Sequence, residues 1–229
     1  PWDRNSKYYG TDEYNTYYKN QLTELLTNYG EIFYVWFDGA CGEGPNGKKQ
    51  VYDFPGYIEL IKKYQPQANI FHDGGTIRWC GNEAGQAPFA QWAVVPMELC
   101  PMNEPQTNGS LMDGSLEFLY NTDITIGSLQ QIMYSKGLVF APSEADMSIR
   151  PGWFYHENAD PHSLEGLFDT YINTGGNNSV FNLDIPPMPN GKFNEKDVQR
   201  LKELGDKINA ELGTNLAEDA EITENKTPD

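Results

Sequence analysis

The sequence predicts an α/β chain, a (β/α)8-type barrel of which it carries about five βα units, the C-terminal part. Strand signals and helix signals alternate along its length. The segment Ile32-Phe33-Tyr34-Val35-Trp36-Phe37 is apolar on both faces, as a fully buried strand of a parallel sheet requires. The segments after strands are long and hold Trp, Glu and Asp, whereas those after helices are short. That asymmetry belongs to a barrel whose site lies at the C-terminal ends of its strands.

The elements follow in order. Thr11 reads as an N-cap, with Asp12 and Glu13 suited to the positive end of a helix. Tyr14, Tyr18, Leu22, Leu25, Leu26 and Tyr29 then recur at helical spacing, and Gly30 fits the position just past the end. The strand from Ile32 stops at Asp38-Gly39-Ala40. A second helix starts near Pro55, carries Tyr57, Ile58, Leu60, Ile61 and Tyr64, and ends before Pro66. Short strands are predicted at residues 69–73, 92–95 and 138–141, with a capped helix over 128–136. Ser163 caps a helix bearing Leu164, Leu167, Phe168, Tyr171 and Ile172, closed by Gly175-Gly176. Ser179 to Leu183 is a fifth strand, and Asn194 caps a last helix with Val198, Leu201, Leu204, Ile208 and Leu212 on one face. Residues 1–212 are thus read as the barrel portion and 213–229 as a polar acidic tail or linker.

With 33 acidic against 16 basic residues in 229, the net charge is −17. Nucleic acid and anionic lipid both require a basic footprint, so neither is expected as a partner. No run approaches the ~18 apolar residues of a membrane span, and the opening Pro1-Trp2-Asp3-Arg4-Asn5 does not read as a signal peptide. Cys41, Cys80 and Cys100 have no CxxC spacing and read as buried thiols. The aromatics (Tyr 14, Phe 11, Trp 5) exceed the needs of a plain core, so some can floor a site for flat or sugar ligands.

Asp38 directly ends a strand of apolar residues, where a barrel places catalytic groups, and burial beside Trp36 and Phe37 would require a partner. Otherwise it caps the following turn. Glu83 lies among small residues in a loop after the next strand, where Arg78 can pair with a carboxylate and Trp79 can stack on a sugar face. Glu98, after the strand at 92–95, is its main competitor. Glu144 and Asp146 form a third acidic cluster just past a strand end. An Asp and a Glu on neighbouring strand ends supply what glycoside hydrolysis needs, one acid ionised and one protonated. His72, His156 and His162 share no ligand spacing, so no metal is expected. No GxGxxG, GxxxxGK[ST] or GxSxG stretch occurs. The aromatic loop Arg150-Pro151-Gly152-Trp153-Phe154-Tyr155-His156 reads as a binding wall or a packing plug.

Three stretches together resemble family 29 glycoside hydrolases, the α-L-fucosidases: Val35 to Ala40, Ile77 to Glu83, and Ser148 to His156. Ile185-Pro186-Pro187 with Gly191 is similar to the family's last barrel strand and its exit, and Tyr9-Gly10 and the helix at Gln21 to Leu26 also fit. The similarity runs from about Pro1 to Leu212. It implies a retaining exo-fucosidase on a (β/α)8-like barrel with Asp38 as nucleophile. In the subgroup preferring α-1,3/4-branched fucosides the acid/base lies in a Gly-Asn-Glu segment like the one ending at Glu83. Glu83 therefore takes that role by resemblance, with Glu98 as the alternative, and Trp36, Arg78, Trp79, Trp153 and His156 are expected to contact the sugar. No counterpart of the family's early strands or its C-terminal β-sandwich is found, and Asn182 and Asp184 stand where Leu and Asn are expected. The implied partner is a fucosylated oligosaccharide or glycoconjugate, with no cofactor. An extracytoplasmic site, periplasmic or secreted, follows from the substrate class alone. Competing readings are a non-catalytic fucose- or glycan-binding module and a barrel glycosidase for another sugar.

Overall fold

The computed structural model describes residues 3–38, 42–71, 75–80, 83–87, 92–96, 133, 135–215 and 218. Helix α1 (Asp12–Asn28) carries Asp12 and Glu13 in its first turn and buries Tyr14, Leu22 and Leu26. Thr11 precedes it, but its hydroxyl donates to the Tyr8 carbonyl rather than capping the helix. Gly30 takes φ +85° just past the C-cap Tyr29, a conformation that favours glycine. Strand β1 (Tyr34–Trp36) follows. Helix α2 (Phe54–Tyr64) is capped by Asp53, whose Oδ1 accepts the Gly56 N–H at 3.1 Å, with Pro55 in the first turn. Strand β2 (Asn69–Phe71) then pairs with β1 in parallel, Val35 against Ile70 and Trp36 against Phe71.

An aromatic core fills this region. Tyr9, Tyr14, Phe37, Tyr52, Phe54 and Tyr57 are buried with Leu22, Leu26, Ile58, Ile61 and Ile70. Tyr9–Tyr14 and Phe37–Phe54 meet edge to face, with centroids 5.6 and 5.8 Å apart. Buried Gln65 ties the helices to the sheet: its Nε2 donates to the Leu26 and Gly30 carbonyls, and its Oε1 accepts the Ile32 N–H. Each of these backbone groups would otherwise lie unpaired at an element's end.

The remaining elements are β3 (Arg78–Trp79), β4 (Val94–Pro96), β5 (Leu138–Phe140), β6 (Ser143–Ser148), α3 (Leu164–Gly175), β7 (Ser179–Asp184) and α4 (Glu195–Leu212). The strands form three sheets, β1-β2, β3-β6-β7 and β4-β5. Several expectations are corrected. Seven strands are present among the described residues rather than five, and they do not close a barrel; closure needs every strand paired on both edges. The segment from Ile32 to Phe37 contracts to a three-residue strand that is not fully buried, with Phe33 78% and Trp36 41% exposed. β3 pairs with β6 in parallel, as β1 does with β2, but β4 and β5 run antiparallel. Phe140 and Leu138 are exposed, and antiparallel pairs tolerate one solvated face where parallel strands need cover on both. Of the helix predicted over 128–136, residues 128–132 and 134 lie outside the described residues and 133, 135 and 136 are not helical; most of the tail also lies outside them.

The chain divides into two compact units, Pro1–Asp146 with Asn173–Asn182, and Met147–Ile172 with Leu183–Asp229. The second is built on Ile149, Leu167, Phe168 and Leu204. Its helices start as the sequence indicates. Ser163 Oγ accepts the Gly166 N–H at 3.1 Å before α3, and Asn194 Oδ1 accepts the Lys196 N–H at 2.9 Å before α4. The Arg150 Nε lies 2.7 and 2.8 Å from the two Asp197 oxygens, with both side chains buried. Arg150 also donates to the His156 and Ala159 carbonyls and lies over the Tyr155 ring. This one guanidinium therefore fastens the aromatic loop to α4.

Candidate active site

Glu144 and Asp146 are the acids that sequence reasoning left in a loop. They lie inside β6, two residues apart and so on one face of the strand, 1% and 5% exposed. Glu144 accepts three neutral donors: the Tyr34 hydroxyl on Oε2, and on Oε1 the Trp36 indole N–H at 2.9 Å and the Asn182 amide at 3.2 Å. A buried carboxylate without such bonds would be strongly disfavoured. Burial, reinforced by the bond to Glu144, pushes the Tyr34 phenol well above its ordinary range, so it stays a donor.

Asp146 Oδ1 accepts the Trp79 indole N–H at 2.8 Å. Its pKa is pushed up to about 6, first by burial and then by the Glu144 and Glu83 carboxylates, against the opposing indole bond. Near neutrality this carboxyl therefore retains part of its proton. Each β6 acid thus braces one tryptophan, Trp36 from β1 and Trp79 from β3.

The same strand holds the Glu83 segment through its backbone. Cys80 donates to the Glu144 carbonyl at 2.8 Å and Gly85 to the Asp146 carbonyl at 3.1 Å. Gly85 adopts φ +65°, which lets the chain turn back toward β6. The buried thiol of Cys80 reaches the Gln86 carbonyl at 3.5 Å. Glu83 itself is exposed.

The predicted nucleophile, Asp38, follows the buried Phe37, whose N–H donates to the Phe71 carbonyl at 3.2 Å. Asp38 is exposed, so the partner that burial would have required is not needed. Trp36, two residues earlier, stacks on Phe71 with centroids 4.6 Å apart and planes at 6°, leaving it a partly open aromatic surface. The Arg78 guanidinium donates to the Ala141 and Trp92 carbonyls at 2.9 and 3.1 Å, tying these segments together. Trp153 and His156 belong to the second unit, where both are exposed. Their loop is thus no packing plug. Glu98 and His72 lie outside the described residues. The missed signal was the spacing of two acids at i and i+2, which puts both carboxylates on one strand face.

Asp38 and Glu83 are exposed acids, each following in sequence a tryptophan bonded to a β6 carboxyl, and carboxyl pairs are the groups that glycoside hydrolases use. The sequence model of the Alpha-L-fucosidase family matches residues 1–211. The chain is 38% identical over 222 residues to Alpha-L-fucosidase 1 of Arabidopsis thaliana, covering 96% of this chain and 40% of the relative. A crystal structure from Bacteroides ovatus, assigned as an alpha-L-fucosidase, superposes with a TM-score of 0.79 at 41% identity, over 94% of this chain and 37% of that one. A glycoside hydrolase 29 family member from an unknown rumen bacterium gives a TM-score of 0.74 at 34% identity, over 98% and 39%. The chain belongs to the alpha-L-fucosidase family, glycoside hydrolase family 29. It spans about two fifths of the length of the relatives it matches.

Proposed function

We propose that this chain carries the catalytic acids of a retaining, exo-acting α-L-fucosidase that removes terminal fucose from glycans, with a preference for α-1,3/4 linkages. Asp38 attacks the anomeric carbon while Glu83 protonates the departing oxygen, giving a fucosyl-enzyme. Glu83 then takes a proton from water, which releases fucose with its configuration retained. One observation carries the reading: both acids are exposed, and each follows a tryptophan held in place by a buried carboxylate of β6. Family membership supports the substrate class, and the Gly-Asn-Glu segment supports the linkage preference. The parallel pairs β1-β2 and β3-β6 support reading the fold as about five units of a (β/α)8-type barrel. Trp36, Arg78, Trp79, Trp153 and His156 are assigned to substrate binding, Arg78 by holding the strand ends. From the substrate class alone we infer an extracytoplasmic site, periplasmic or secreted.

The test uses an aryl α-L-fucoside with the full-length protein. Asp38→Ala is expected to lower turnover by about 10⁴-fold or more. Glu83→Ala is expected to slow it, with azide restoring the rate and forming a fucosyl azide of retained configuration. Wild-type turnover in either variant removes that residue from its role. Fucose binding without turnover in the wild-type protein would replace the enzyme reading by that of a binding module.

A further inference from the structure

Asp146 is an odd residue to bury for stability alone. It is 5% exposed and faces an indole rather than a cation, and its carboxyl is held well above the ordinary range by burial. Burying a carboxyl without a cation costs free energy that one neutral hydrogen bond offsets only in part. Its bonds give it another use. The side chain holds Trp79, the main-chain carbonyl holds Gly85, and Glu83 lies between those two anchors. Glu144 adds a third anchor at Cys80. Ionised Asp146 and Glu83 also repel each other, which disfavours collapse of the Glu83 side chain onto β6.

We propose that Asp146 is a positioning residue for Glu83: through its bond to the Trp79 indole it fixes one flank of the segment that presents the acid/base to the glycosidic oxygen. The inference rests on Glu83 as acid/base. Asp146 touches no reacting atom, and no proton passes through it.

Leaving-group dependence tests the role, because misplacing a general acid harms only those substrates whose departing oxygen needs a proton. The full-length protein is assayed on dinitrophenyl α-L-fucoside, which needs little protonation, and on an alkyl α-L-fucoside, which needs it fully; kcat/KM reports the first step. Asp146→Leu is expected to lower kcat/KM on the alkyl fucoside by at least about tenfold, since small misplacements near the chemistry reach ~10²-fold, and to spare the dinitrophenyl substrate. Asp146→Asn keeps an acceptor for the indole and is expected to retain activity on both. Should Asp146→Leu fail to fold, Asp146→Val, smaller and equally unable to accept the indole N–H, is expected to show the same selective loss. Glu83→Gln is the reference. If it shows the selectivity while Asp146→Leu, or Asp146→Val in its place, does not, the positioning role is overturned and the acid/base assignment stands. If Glu83→Gln shows none, that assignment falls and takes this inference with it. A loss in Asp146→Asn equal to that in Asp146→Leu also overturns the proposal.

Discussion

Asp197 and Asp146 are both almost inaccessible, at 0% and 5% exposure, yet their partners differ in kind. Asp197 meets the Arg150 guanidinium with both oxygens, so charge answers charge. Asp146, and Glu144 two residues before it, meet only neutral groups in the bonds described: indoles, a phenol and an amide. A buried ion pair holds its two elements firmly because neither partner can be removed without stranding the other. For Asp146, burial without a cation among those bonds raises the proton affinity, and the indole bond offsets only part of that rise. The first arrangement fastens a loop to a helix. The second leaves Asp146 with a carboxyl group whose ionisation changes near pH 6, bonded to Trp79.

Three substitutions probe that difference, in descending order of effect. Asp197→Ala strands Arg150 and is expected to lower stability by about 3–5 kcal/mol, read from denaturant unfolding. Pairing it with Arg150→Met should restore much of the loss, and failure to do so would mean the pair is not what holds the loop.

Asp146→Asn is expected to stabilise the protein at neutral pH. The folded pKa of about 6 lies above the unfolded value of about 3.9. The native state therefore binds the extra proton, and stability falls as pH rises between those two values. A gap of about two units corresponds to about 3 kcal/mol at pH 7. Thermal unfolding of the variant and wild type should differ at pH 7 and converge near pH 4. Equal differences at both would show that Asp146 does not titrate in this window.

Glu144→Gln brings an amide N–H toward the Tyr34, Trp36 and Asn182 donors and is expected to destabilise by about 1–3 kcal/mol. Its effect should include a change in Trp36 fluorescence. An unchanged spectrum would mean that the indole is held by its stacking on Phe71 alone.

The helices were legible in the sequence because their ends are chemically marked. Asn194 and Ser163 cap as expected, Asp53-Phe54-Pro55 opens α2, and Gly30 closes α1. Asp38 stood out as an acid ending an apolar run, and Glu83 as an acid among small residues in a loop. What escaped was β6, because Ser-Glu-Ala-Asp-Met-Ser contains no β-branched or aromatic residue and its acids suggest solvent. The donors that make their burial tolerable come from Tyr34, Trp36, Trp79 and Asn182, far away in sequence. Nothing local indicates either that the Arg78 guanidinium will donate to the Ala141 and Trp92 carbonyls. The exposure of β1 was hidden likewise, because an apolar run does not say how much cover surrounding elements provide.

The amide of Gln65 has a reach beyond its own neighbourhood. It joins the tail of α1 to Ile32, two residues before β1, so it sets the starting point from which that strand is counted. A slip of one residue past β2 would reverse the sides on which Trp36 and Phe37 emerge, pulling one ring off its acid and driving the other out of the aromatic interior. The address of Asp38 is therefore written partly at the end of a different helix, and damage there would disable the site while leaving every one of its own residues intact.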